Sequence, residues 1–267
     1  MNAKRIYSIF VRQFYLVRDN PTRLVVIFFW GILEVVLWGF ITRYLNNIVA
    51  SGPNFVSVFL GAVLLWDFLT RVLQGVTTAF FEDVWSRNFL NIFASPLKVS
   101  EYISGLVCVS IVTSLMSILV ILVLAVFFFG FSFAAYGVSV FLFLLVLFFF
   151  GIALGIFAVG FVLRFGPASE WLIWPIPGLL APFVGVFYPI ATLPHWMQVI
   201  AYVLPPSYVF EGARTVLSGG AISNSIAIFS VLLSMLYIFL AYVFFLLVYR
   251  KAVRTGLLAR YSAENAS

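Results

Sequence analysis

The chain has 267 residues, of which 64% are hydrophobic and 9% charged, with a formal net charge of +6. Soluble domains carry roughly 25% charged residues, so a water-soluble globule is excluded, and the positive balance points to membrane topology and anionic lipid, not to nucleic acid. The apolar residues fall in long blocks, which predicts an all-α membrane protein with a single domain, 1–267, and no soluble part larger than a loop.

In residues 2–19, Ile6, Ile9, Phe10, Phe14 and Val17 recur at helical spacing on one face, with Arg5, Ser8 and Arg12 opposite. A basic amphipathic helix of this kind lies in the headgroup plane. It serves either as a plain lipid anchor or as an interface helix that also touches a cytoplasmic partner. Asp19-Asn20-Pro21 breaks it. Six apolar stretches follow, at 24–45, 55–79, 103–130, 138–163, 171–188 and 222–248, each near or above the ~20 residues that cross ~30 Å of hydrocarbon. No secretory signal is evident, since the stretch after Arg23 is long and contains Glu34. With the N-terminus inside, six crossings place thirteen of the fifteen Lys and Arg residues inside and only Arg43 and Arg214 outside. Both termini are therefore expected in the cytoplasm.

Three charges lie within the first two stretches. Glu34 and Asp67 each sit ~15–18 Å from a membrane surface at 1.5 Å per residue, which places them at one level near the midplane. Asp67 and Arg71 are one turn apart with the acid first, the favourable order for a helical ion pair. A charge at a helix centre costs about 2.5–3.5 kcal/mol on the insertion scale. The first stretch, between residues 24 and 41, sets thirteen Leu, Ile, Val and Phe residues against one charge; the second, between 55 and 73, sets twelve against two and stands close to balance. Its charges are expected to be paired, with Glu34 as a second acceptor for Arg71. The cluster either lines a translocation path or is a structural ion pair that keeps two helices in register.

Residues 80–102, FFEDVWSRNFLNIFASPLKVSEY, join the second and third stretches. Asp83 and Arg87 at i,i+4, with Val84, Trp85 and Leu90 on an apolar side, predict a short amphipathic helix from about Glu82 to Asn91. Ser95-Pro96 breaks it, and Ser100 is placed to cap the next helix. Ser110, Ser114 and Ser117 form a polar stripe further on, and GIALG at 151–155 is a small-xxx-small pattern; both read as packing faces. The lone Cys108 reads as a small packing residue.

The stretch Glu170–Arg214 holds seven of the eleven prolines yet is as apolar as a span. Proline removes a backbone donor and clashes with the preceding turn, so no single straight helix fits. In lipid, broken backbone persists only where protein or a water-filled cavity covers it. The expected arrangement is a span, Trp171–Tyr188, followed by short helical pieces around Leu193–Val203 and Ser207–Leu217 that form a re-entrant outer hairpin, 189–217. A proline-rich outer loop over an ordinary bundle is the alternative. Four motifs follow one another here: Gly185-x-x-Tyr188-Pro189, Leu193-Pro194-x-Trp196, Leu204-Pro205 and Glu211-x-x-Arg214.

That series resembles the fifth-span and re-entrant signature of type-2 ATP-binding-cassette (ABC) exporter permeases. Residues 80–102, with Ser95-Pro96-Leu97 and Glu101-Tyr102 leading into the third stretch, resemble their coupling helix. The resemblance covers nearly the whole chain. It implies a transmembrane subunit with six helices, paired with a second permease copy as a homodimer or heterodimer, in a bacterial plasma (inner) membrane. It also implies a cytoplasmic ABC ATPase subunit that holds ATP and Mg, docked on Glu82, Asp83, Trp85, Arg87 and Asn88.

The chain itself has no G-x-x-x-x-G-K-[ST] loop, a single His (His195, beside Trp196) and no His/Cys/carboxylate cluster at metal spacing. No catalytic, metal or cofactor site is therefore expected on it. The uncharged third, fourth and sixth stretches and the 32 Phe suit an amphipathic, drug-like or lipidic cargo moved out of the cytoplasm. A lipid-linked glycan is the alternative cargo. The alternative class is an ion-coupled secondary transporter that uses Glu34 and Asp67 as proton sites.

Overall fold

The computed structural model describes residues 2–18, 21–48, 56–86, 88, 91–92 and 95–255. Among these residues the chain is helical, without strands. The helices are α1 (Ala3–Arg18), α2 (Pro21–Ile48), α3 (Gly61–Trp85), α4 (Val99–Phe129) and α5 (Ser139–Phe165), then the short α6 (Ile176–Val184), α7 (His195–Val203) and α8 (Pro205–Leu217), and finally α9 (Asn224–Arg254). Among the described residues four segments are long and apolar enough to cross a membrane: Val58–Trp85, Val99–Phe129, Ser139–Phe165 and Asn224–Arg254. Mean hydropathy is 1.4 in the first of these against 2.9, 3.0 and 2.7 in the others. α3 tolerates its charges because it runs through the middle of the bundle, with Leu60, Leu64, Leu65, Leu69, Val72 and Val76 fully buried.

Small residues let the neighbours of α3 come close, as helix packing in lipid requires. A Cβ on Gly151 or Gly155 of α5 would stand 2.8 Å from Val72 Cβ or 2.7 Å from Val76 Cβ. On the other side, a Cβ on Gly75 would lie 2.7 Å from Ser110 Cα of α4, and Ser110 Oγ donates to Val72 O at 2.7 Å. The GIALG pattern and the serine stripe are thus packing faces. These contacts also give direction: α3, α5 and α9 run one way, with Phe150 against Tyr237 and Gly160 against Phe244, while α4 runs the other. α2 runs with α4, Gly31 lying against Ile121 and Gly39 against Phe129. One end of the bundle therefore gathers α1, the end of α3, the start of α4 and the end of α5; we call it the α1 end.

Several local expectations are corrected. Glu82–Trp85 do not start a new helix. No Pro or Gly interrupts the chain after Gly75, so α3 continues to Trp85 and ends at Ser86, whose N–H donates to Glu82 O. Arg87 and Leu90 lie outside the described residues, and Ser95-Pro96 forms a bend. The cap of α4 is Lys98 rather than Ser100, because the Glu101 side chain reaches back to accept from Lys98 N at 3.0 Å. On α1 the buried face is rotated: Ile9 and Gln13 face inward while Phe14 and Tyr15 are exposed.

The proline-rich stretch is the most broken part of the chain. A 3-10 turn, Pro167–Leu172, lies at the α1 end, and the only α-helix within Trp171–Tyr188 is the nine-residue α6. At 1.5 Å per residue that is ~13 Å, too short to cross hydrocarbon as one helix. The chain nevertheless climbs from Trp174, near Phe81 of α3, to Phe187, stacked on Trp38 of α2 at 4.8 Å. Pro194 precedes α7 and Pro205 opens α8, the helix-start positions that proline accepts. α8 packs on α5 and α9, with Val209 and Phe210 buried and the Phe210 ring reaching to 5.9 Å from Trp66 of α3.

Candidate functional site

Three levels of the bundle concentrate polar side chains, and α3 carries two of them. Midway along α3, Arg71 Nη2 lies 3.0 Å from Asp67 Oδ1, and Arg71 Nε donates to Oδ1 and Oδ2 at 3.1 and 3.3 Å. Arg71 Nη1 donates to Gln74 Oε1 at 3.3 Å. α2 supplies the third member, because Gly31 leaves room for the guanidinium (a Cβ there would lie 2.9 Å from Nη2). Glu34, one turn further on, hydrogen-bonds with Asp67 and lies in the field of Arg71. Burial in an apolar medium penalises each of these charges unless it is paired, and the Arg71–Asp67 ion pair meets that need. The expected trio is thus brought together, with Arg71 bonded to Asp67 and Gln74 and with Glu34 facing them from α2.

The second level is the α1 end, where two buried carboxylates hold α1. Asp83, 1% exposed, accepts from Tyr102 Oη at 2.7 Å, from Gln13 Nε2 at 3.5 Å and from Arg12. Gln13 Nε2 also donates to Ala79 O at 3.0 Å. Glu101, likewise 1% exposed, accepts from the Asn2 N–H at 2.7 Å and pairs with Arg5 at 3.4 Å while capping α4. Arg5 and Arg12, assigned to solvent from the sequence, are the clamp's cations. Glu82 and Asp83 are turned into the bundle, whereas Trp85 is 53% exposed and Asn88 half-buried. Trp85 Nε1 donates to Glu170 Oε2 at 2.9 Å.

The third level is the hairpin at the far end, where the motif residues satisfy backbone groups that proline leaves orphaned. Pro206 and Pro205 offer no N–H to the last turn of α7. Tyr208 Oη donates instead to Tyr202 O at 2.7 Å, and Tyr237 Oη of α9 to Val203 O at 3.2 Å. Tyr188 Oη donates to Pro182 O at 2.7 Å. Glu211 Oε1 accepts from Ile190 N at 2.6 Å and from Arg214 Nη2 at 3.1 Å, which fastens α8 to the turn after Pro189. The turn itself depends on Gly185, in a left-handed conformation (φ 65°), where a Cβ would also meet Tyr188 O at 2.8 Å. Trp196 sits 6.2 Å from Phe183.

Gln13, Gln74, Glu101, Tyr102 and Glu170 were missed as site residues. Glu101 alone had a local signal, an acid three residues into a helix. The others are defined by partners on different helices. A cleft between α5, α8 and α9, lined by Phe143, Val146, Tyr208 and Ser230, has room for about 10 Å³, the space of about one water molecule. Among the described residues no group of three or more His, Cys, Asp or Glu side chains is arranged for a metal.

The profile of the ABC-2 type transporter membrane family matches residues 5–218, from α1 to the end of the hairpin. No curated protein matches the chain.

Proposed function

The chain belongs to the ABC-2 type transporter family and is its transmembrane permease component, and from that premise we propose that it is one half of an ATP-driven exporter for an amphipathic, drug-like or lipidic compound. The family implies an ABC ATPase as partner, carried on a separate subunit. In this reading the α1 end faces the cytoplasm, the chain crosses six times with α6 and its flanks as the fifth crossing, and the hairpin 189–217 caps the outer leaflet. Two copies face each other in a bacterial plasma membrane. The ATPase engages Trp85, Asn88 and the residues that follow.

The observation that carries the reading is the continuity of α3. One uninterrupted helix of 25 residues joins Trp85, where the ATPase would push, to the Asp67–Arg71 pair at mid-height. At 1.5 Å per residue it is a lever of ~37 Å. A displacement at its end moves the buried cluster, and with it the contact to Glu34 on α2. The path is read as lying between two copies. The outward faces of α2 (Trp30, Leu37, Phe40) and α4 (Leu119, Phe127) offer apolar surface for it.

The test is purification of the tagged chain from native membranes and reconstitution in lipid vesicles. An ABC ATPase is expected to co-purify, and amphipathic compounds to stimulate its ATP hydrolysis. Stimulation by lipid-linked glycans alone would replace the cargo. Uptake driven by a proton gradient without any ATPase would replace the mechanism by a secondary carrier using Glu34 and Asp67.

A further inference from the structure

We infer that the hydrogen bond from Trp85 to Glu170 is the tie through which the loop after α3 moves the segment that opens α6, and that these two are positioning residues for transport; the inference rests on the function proposed above. The two residues are 85 positions apart, and the indole Nε1 lies 2.9 Å from the carboxylate Oε2. The bond is charge-assisted, and an indole N–H has no second donor to offer elsewhere.

A packed base supports both partners. The Phe81 ring, fully buried in α3, lies 5.9 Å from the Trp85 ring and 6.3 Å from that of Trp174. One α3 side chain thus underlies the helix end and the entry to α6 together. Glu170 is held on a fixed turn. Ser169 Oγ donates to Gly166 O at 2.7 Å, Ile173 N donates to Glu170 O at 2.9 Å, and Ile173 is 1% exposed.

The far side of the same segment ends on α2, through the stack of Phe187 on Trp38. A displacement of Trp85 therefore has a short mechanical route, by way of Glu170 and α6, to the helix that carries Glu34. The remaining ring face of Trp85, 53% exposed, is free to meet the ATPase while its N–H is committed to Glu170. The carboxylates nearby have other work, since Asp83 and Glu101 hold α1. The division is physical: one set of contacts fastens α1, and another joins the input loop to the fifth crossing.

The test uses the complete permease–ATPase complex in lipid nanodiscs, with a Leu179→Cys reporter on the exposed face of α6 in a Cys108→Ser chain. Trp85→Phe keeps the ring and removes the donor, Glu170→Ala removes the acceptor, and Glu170→Gln keeps one. All three are expected to retain the ATPase subunit. Trp85→Phe and Glu170→Ala each lower ATP turnover about three- to tenfold, the scale of one hydrogen bond, and abolish the nucleotide-dependent change in thiol labelling at residue 179. The double variant is no worse than the poorer single, as expected for two halves of one contact. Glu170→Gln restores the labelling change and most of the turnover. Wild-type turnover and labelling in the two single variants, or losses that add in the double variant, overturn the tie and leave the proposed function standing. A wild-type chain that retains no ATPase overturns both.

Discussion

Glu34 and Asp67 share a site but not a role. Asp67 is the ion-pair partner of Arg71 at 3.0 Å, whereas Glu34 approaches it from another helix. Glu34→Gln keeps a polar group of the same shape beside Asp67 and is expected to change stability by less than about 1 kcal/mol. Asp67→Asn strands the Arg71 cation inside the bundle, at a cost of about 3–5 kcal/mol. Thermal unfolding of the two variants in one detergent measures the difference, and equal losses would show that the two acids are interchangeable. At the α1 end, Tyr102→Phe removes one donor from Asp83 and should cost about 1–2 kcal/mol in the same assay. The sequence discloses the Asp67–Arg71 pair because both residues share one helix face. It conceals Asp83–Tyr102 and Glu101–Arg5, because those pairs depend on which helices come together and not on local spacing.

At the scale of elements, α3 is a central rod gripped by α4 on one side and α5 on the other, with α1 fastened across its end. Gly155→Leu drives a side chain into Val76 and should destabilise the bundle by about 1–3 kcal/mol, read as a lower unfolding temperature. Cutting the clamp acts locally. Arg5→Ala with Arg12→Ala should raise amide hydrogen exchange across Ala3–Arg18 and leave α5 and α9 protected; uniform loss of protection would mean that α1 is part of the core. The long apolar helices were legible because length and hydropathy suffice to find them. The end of α3 was not: an amphipathic pattern at Glu82–Asn91 looks the same whether it begins a helix or finishes one. The face of α1 was misread for a related reason, since arginine counts as solvent-facing until a buried carboxylate is found for it. The short helices α7 and α8 were legible in outline, because prolines mark where they start. The tyrosines that repair the orphaned carbonyls carry no such mark.

For the whole molecule the issue is direction. α3, α5 and α9 are parallel, so the chain must return between the end of α5 and the start of α9. Trp171–Phe187 makes that return although α6 supplies only nine helical residues, with Ile173, Val184 and Val186 buried against neighbours while Trp171, Leu172 and Leu179 stay exposed. On this path the α1 end, Trp85 and the end of α9 lie at one end of the bundle and the short helices α7 and α8 at the other, and the function proposed above puts the first end in the cytoplasm. Thiol labelling of intact cells with a membrane-impermeant reagent tests this most directly, using Ala191→Cys and Lys251→Cys, each in a Cys108→Ser chain. The account predicts labelling at 191 in intact cells and at 251 only after permeabilisation; labelling at 251 in intact cells would contradict it.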